Sequence, residues 1–126
     1  MSRKNNLKQF QTIVNGDMSG DIISPVTCIQ FLDNVGLQFN FTGDPVGTFN
    51  IQVSADYSQD ELGNVQNVGN WITLTPPALS AIPEAAGSAD VIFVDLNQLS
   101  APWIRVQYAA DSGSGVLNAF ITAKLL

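Results

Sequence analysis

Histidine is absent from this 126-residue chain, cysteine occurs once, and only five residues are basic. Without histidine the chain lacks the commonest general base near neutral pH and the commonest metal ligand. The single Cys28 cannot close an intrachain disulfide, and with no imidazole to activate it, it reads as a small apolar residue of the core. A lone thiol also suits a reducing cytoplasm. Long hydrophobic runs are missing too. The longest, such as 91–94, fall far short of the roughly 20 residues that span a bilayer. After Arg3 and Lys4 the chain continues Asn5-Asn6-Leu7-Lys8-Gln9, without the apolar stretch of about 7–15 residues that a secretory signal needs. These absences predict a protein that is not an enzyme, holds no cofactor or metal, and makes no membrane span.

Charge is unevenly distributed. Arg3, Lys4 and Lys8 fall in the first eight positions, and from position 9 onward only Arg105 and Lys124 face all eleven carboxylates, a net charge of −9. Such a field repels phosphate backbones, so the body is not expected to bind nucleic acid. The first nine residues read as a basic arm able to reach an acidic neighbour, or as a solvated terminus, and 10–126 as one domain. With 45% hydrophobic residues, that domain can build its own core.

The dominant pattern has period two. Leu37, Phe39 and Phe41 alternate with Gln38 and Asn40, and Phe49, Ile51, Val53 and Ala55 alternate with Asn50, Gln52 and Ser54. Between them Thr42-Gly43-Asp44-Pro45-Val46-Gly47 supplies turn chemistry, which predicts a β-hairpin over about 36–56. A second is predicted where Ile104, Val106 and Tyr108 run into Asp111-Ser112-Gly113-Ser114-Gly115. The chain returns with Leu117, Ala119, Ile121 and Ala123 on one face and Asn118, Phe120, Thr122 and Lys124 on the other. Segments 10–14, 20–24, 27–31, 71–75 and 91–96 bring the total to about nine strands. Helical periodicity is lacking, with single turns at 83–86 and 97–100 the only candidates. The expectation is an all-β, antiparallel β-sandwich, with a jelly roll among the topologies that fit.

Two long connections, 56–70 and 76–89, interrupt the strand spacing, and loops of that length commonly make contacts. Asp56, Asp60 and Glu61 in the first suggest calcium, but an EF-hand starting at 56 would need glycine at 61 and glutamate at 67, where Glu61 and Asn67 stand. These carboxylates therefore read as a polar turn. As an acid and base pair for glycoside hydrolysis they are no better placed than any other carboxylates in the chain. Trp71 and Trp103 each begin a strand and read first as caps on the core; with Tyr57 they form the alternative, a set of aromatic platforms for sugar stacking. Arg105 is expected to stack or to pair with a carboxylate such as Asp95. An apolar C-terminus, Ala123-Lys124-Leu125-Leu126, and strand edges that must be covered point to a homo-oligomer.

The segment Phe41-Thr42-Gly43-Asp44-Pro45-Val46-Gly47-Thr48-Phe49-Asn50-Ile51-Gln52-Val53-Ser54 is followed by Asn70-Trp71-Ile72, then Trp103-Ile104-Arg105-Val106-Gln107-Tyr108 and Ser112-Gly113-Ser114-Gly115. In this order, and over about residues 35–124, the chain resembles small structural proteins of tailed and other bacterial viruses. The resemblance implies a β-sandwich virion component made in the host cytoplasm, with no catalytic residues. Its partners would be copies of itself and other virion proteins at the capsid or head-tail surface. The contacts are then expected from Arg3, Lys4 and Lys8 of the arm and from Asp56, Asp60, Glu61, Pro76 and Pro77 of the two loops. The rival reading is a carbohydrate-binding module using Tyr57, Trp71 and Trp103.

Overall fold

Wherever the period-two pattern is regular, the chain is extended. The computed structural model describes residues 7–30, 32–74, 82–96 and 101–125, and among them every regular element is a strand. In chain order these are β1 (Leu7–Asp17), β2 (Ile22–Ile23), β3 (Thr27–Cys28), β4 (Leu32–Phe41), β5 (Val46–Ser54) and β6 (Ser58–Gln59). There follow β7 (Val65–Asn67), β8 (Ile72–Thr73), β9 (Ala85–Ala86), β10 (Asp90–Leu96), β11 (Trp103–Ser112) and β12 (Val116–Leu125). The all-β expectation holds, and β9 lies where a helical turn at 83–86 was expected; the other candidate turn, 97–100, lies outside the described residues. No helix among the described residues is long and apolar enough to cross a membrane.

One sheet has the order β1-β12-β4-β10 and the other β2-β11-β5-β8, with β3 also on β11 and β9 also on β5. β2 and β3 act as one interrupted edge strand. Pro25 has no N–H to give the ladder, and the preceding Ser24 fills the gap: its Oγ accepts from Val106 N at 2.9 Å and donates to the Pro25 carbonyl. Counting β2/β3 and β8/β9 once each leaves four strands facing four, an arrangement consistent with a jelly roll.

Both inner faces supply one core. Leu37, Phe39 and Phe41 of β4 and Leu117, Ala119 and Ile121 of β12 meet Phe49 and Ile51 of β5 and Ile104, Val106 and Tyr108 of β11. Phe49 is the joint, with its ring centroid 4.6 Å from Phe39, 5.5 Å from Phe41 and 5.2 Å from Tyr108. Removing such a side chain typically costs about 3–5 kcal/mol.

The two expected hairpins are corrected by the topology. β4 pairs with β12 and β10, not with β5, and β11 pairs with β5, not with β12. Residues 42–45 and 113–115 are therefore crossings from one sheet to the other. Alternation assigns an inward and an outward face to each strand, but a crossing and a hairpin satisfy it equally. The crossings lie against each other: Asp44 N donates to the Ser114 carbonyl at 2.9 Å, Ser114 N to Asp44 Oδ1 at 3.1 Å, and Thr42 N to the Val116 carbonyl at 3.1 Å. Gly113 has φ +74°, and a Cβ there would strike the Asp44 carbonyl oxygen.

The segment expected as an arm is shortened by the first strand. β1 begins at Leu7, so Lys8 is an exposed sheet residue paired with Ala123, while Arg3 and Lys4 lie outside the described residues. Cys28 is exposed, not a core residue. It sits on edge strand β3 beside Ile29, which is turned inward and 3% exposed.

Gly113→Ala is expected to lower stability by about 1–3 kcal/mol from left-handed backbone strain alone, with steric overlap adding to it. Gly20→Ala, where a Cβ meets nothing within 4 Å, should change it by less than about 0.5 kcal/mol. Urea unfolding of the two variants beside the parent measures both.

Candidate functional site

At the end of the sandwich away from the crossings, the chain leaves β5 and makes an excursion before rejoining the sheet at β8. It turns on Ser54, whose Oγ accepts from Tyr57 N at 3.1 Å and donates to Asp56 Oδ1 at 2.9 Å. Asp56 then closes the base of the excursion, accepting from Asn70 N and from Asn70 Nδ2, each at 2.7 Å. These bonds, the Asn70 backbone first, hold the Asp56 carboxyl below its ordinary range. The two legs approach so closely that a Cβ on Gly69, at φ +72°, would lie 2.8 Å from Tyr57 N.

The connection at 56–70 is not an open loop. β6 and β7 pair within it, and Asp60 organises its tip. Asp60 Oδ1 accepts from the backbone N–H of both Leu62 and Asn64 at 2.9 Å, and Oδ2 from the Asn64 and Gln66 side-chain amides at 3.3 Å. The Asn64 backbone is the main cause of its lowered pKa. The Asp60 carboxylate is engaged with N–H donors, which is turn chemistry and not the set of open oxygens a calcium loop presents. Glu61 is exposed at the tip, and among the described residues no group of three potential metal ligands comes together.

The hairpin is clasped to the sheet by aromatic rings. Tyr57, 7% exposed, lies between Trp71 at 5.6 Å and Trp103 at 4.9 Å, the second edge-on. The Arg105 guanidinium sits 4.3 Å over the Trp71 ring, and its Nε donates to Gln52 Oε1 at 2.7 Å. Trp71 Nε1 donates to the Val68 carbonyl at 3.0 Å, and the Tyr57 hydroxyl accepts from Gln59 Nε2 at 2.8 Å. Neither tryptophan belongs to the core, contrary to the expected capping role. The reason is parity: on β11, Ile104, Val106 and Tyr108 turn inward, which sends Trp103 and Arg105 outward. Asp95 lies on β10 in the opposite sheet, so the Arg105–Asp95 pairing does not form.

The fold thus brings together Tyr57, Trp71 and Trp103, with Asp56 at the base of the same hairpin and Asp60 and Glu61 at its tip. It leaves Lys8 on the other sheet; Pro76 and Pro77 lie outside the described residues. Sequence reasoning missed what the clasped hairpin displays: Leu62 is 87% exposed, Val68 74% and Val65 50%, with Ile72 just beyond at 65%. The available signal was their isolation among Asn, Gln, Gly and Asp, a setting that offers an apolar side chain no partner of its own. It also missed Phe93, whose outward aim was readable from Asp95 two positions on.

The lowered carboxyls set a pH dependence. Because the pKa values of Asp56 and Asp60 lie below the ordinary 3.8, their hold on the hairpin is complete above that value and is lost as pH falls through the lowered ones. Amide exchange at Asn70 is expected to accelerate there while Leu37 and Ile121 stay protected, and in Asp56→Asn the Asn70 step should vanish.

No family model matches the chain, and no curated protein matches it either. Solved structures similar to it include the SPBc2 prophage-derived protein YomS, at 11% identity and TM-score 0.42 over 92% of each chain. A protein of the T13 IBDV viral particle matches at 11% identity and TM-score 0.48, over 95% of this chain and 31% of that one. Dimeric latent PorU of Porphyromonas gingivalis matches at 12% and 0.43, over 94% and 12%. The neighbours thus include a prophage protein and a virus-particle protein, at a similarity that leaves the argument about function to the residues themselves.

Proposed function

We propose that this chain is a non-enzymatic structural component of a bacterial virus particle, a β-sandwich that assembles with copies of itself and docks on other virion proteins at the capsid or head-tail surface. The observation that carries the reading is the clasped hairpin. Its base is held by Asp56 and Asn70, its tip by Asp60, and its flank by Tyr57, Trp71, Trp103 and Arg105, yet Leu62, Val65 and Val68 face water. Apolar side chains presented on a pre-ordered support lose little conformational entropy on docking, and burying each contributes roughly 1.5–3 kcal/mol. The sequence resemblance to small virion proteins supplies the class of partner, and the net −9 of the body favours protein neighbours over nucleic acid.

Light scattering of the full chain across a concentration series tests this. A discrete oligomer is expected, and the double variant Leu62→Asp/Val68→Asp should shift the mass toward the monomer with its thermal midpoint within about 4 °C of the parent. A parent chain that stays monomeric at millimolar concentration, alone and mixed with purified virion proteins, would sink the reading.

A further inference from the structure

The outer face of the β1-β12-β4-β10 sheet lies on the side of the sandwich away from Arg105 and the clasp. Register sets Gln11, Phe120, Gln38 and Phe93 in one row across its four strands, and Gln9, Thr122, Gly36 and Asp95 in the next. There an open groove of about 310 Å³ is lined by Gln9, Gln38, Asn40, Phe93, Phe120 and Thr122. Its size falls in the range of small-ligand sites, and none of the six side chains is charged.

Two features of the lining are pre-set. Phe93, 56% exposed, reaches across Gly36: a Cβ there would stand 2.6 Å from Phe93 Cζ, so the missing side chain lets the ring lie down on the sheet. Phe120 is two strands away, about 10 Å at the usual strand spacing. Between the rings, Gln38 Nε2 donates to Asn40 Oδ1 at 2.9 Å. That bond orients both amides and leaves Gln38 Oε1 to accept and Asn40 Nδ2 to donate.

Planar amides that offer a donor beside an acceptor suit hydroxyl groups, which are both at once, and ring faces suit the C–H face of a pyranose. An acidic ligand would meet the body's net −9, and a basic one would find none of the six lining residues acidic and, in the adjoining hollow, Asp95 offset by Lys124. We propose that this groove binds a neutral oligosaccharide, with Phe93 and Phe120 stacking on two of its sugar units and the Gln38–Asn40 pair hydrogen-bonding hydroxyls between them. The platforms differ from Tyr57, Trp71 and Trp103, whose rings are engaged with one another, with Arg105 and with Val68.

The test is titration of the full chain with maltohexaose, cellohexaose, mannohexaose and chitin hexasaccharide, followed by amide chemical shifts and calorimetry. At least one should bind with shifts centred on residues 36–40, 91–95 and 118–122. Phe93→Ala should weaken it about tenfold, as expected for the loss of one stacked ring, and Phe93→Trp should retain it. The double variant Leu62→Asp/Val68→Asp, which disturbs assembly in the reading above, should leave the affinity unchanged, so failure of one idea is separable from failure of the other. Thermal midpoints confirm that each variant is folded. Silence toward all four sugars, affinity that survives Phe93→Ala, or binding lost instead on Trp103→Ala would overturn the proposal.

Discussion

Two short pieces of backbone, 42–45 and 113–115, are packed so closely that Gly43, Gly113 and Gly115 leave no room for a Cβ, and the remainder of the molecule is arranged around them. Their mutual hydrogen bonds send β4 and β12 into one sheet and β5 and β11 into the other. Glycine at 113, with its positive φ, and at 115, where a Cβ would meet the Thr42 carbonyl, makes that approach sterically possible. Once the strands are so divided, their inward faces have to meet, and Phe49 locks the two layers by touching aromatic rings from both. The packing is not free of cost. Tyr108 Oη and Thr12 Oγ1 are buried without a hydrogen-bond partner, each a penalty that the surrounding apolar contacts must outweigh.

The acidic excess has a structural use that its total does not reveal. Asp17 accepts from Ser19 N, Asp21 from Ala110 N, Asp44 from Ser114 N, Asp56 from Asn70 N, and Asp60 from Leu62 N and Asn64 N. In each case a carboxylate supplies the acceptor that a turn or irregular segment denies to a backbone donor. Short strands and frequent turns produce many such orphaned donors, and aspartate is the shortest charged acceptor that can reach them.

With the interior and the turns accounted for, two surfaces stand out among the described residues, and they differ in kind. The clasped hairpin at one end presents isolated aliphatic groups on a fixed support, which suits another protein. The groove on the outer face of the β1-β12-β4-β10 sheet presents oriented amides and phenyl rings, with Asp95 and Lys124 of opposite sign at its margin, which suits a neutral polyhydroxylated chain. Neither uses a titrating group near neutral pH, in keeping with a chain that has no histidine.

Alternation along the chain determined the all-β class, the long strands and nearly the whole inward set, because side-chain period two is a local property that survives any choice of partner; the short β6, β7 and β9 carry too few residues to show it. The inward run Leu117, Ala119, Ile121, Ala123 was legible for that reason, and so was the outward run ending at Lys124. Pairing was not. Thr42-Gly43-Asp44-Pro45 can close a hairpin or carry the chain between layers, and only contact with 113–115, some seventy residues away, decides it. The clasp was legible as three aromatic residues but not as an assembly: Tyr57 meets Trp103 and Trp71 meets Arg105 because β5 and β11 pair, a relation between distant segments that local composition does not encode. Which side chains exist, and which way each strand faces, belongs to the sequence; which of them share a surface was decided by the tertiary structure, because that depends on strand order and strand order on contacts remote in the chain.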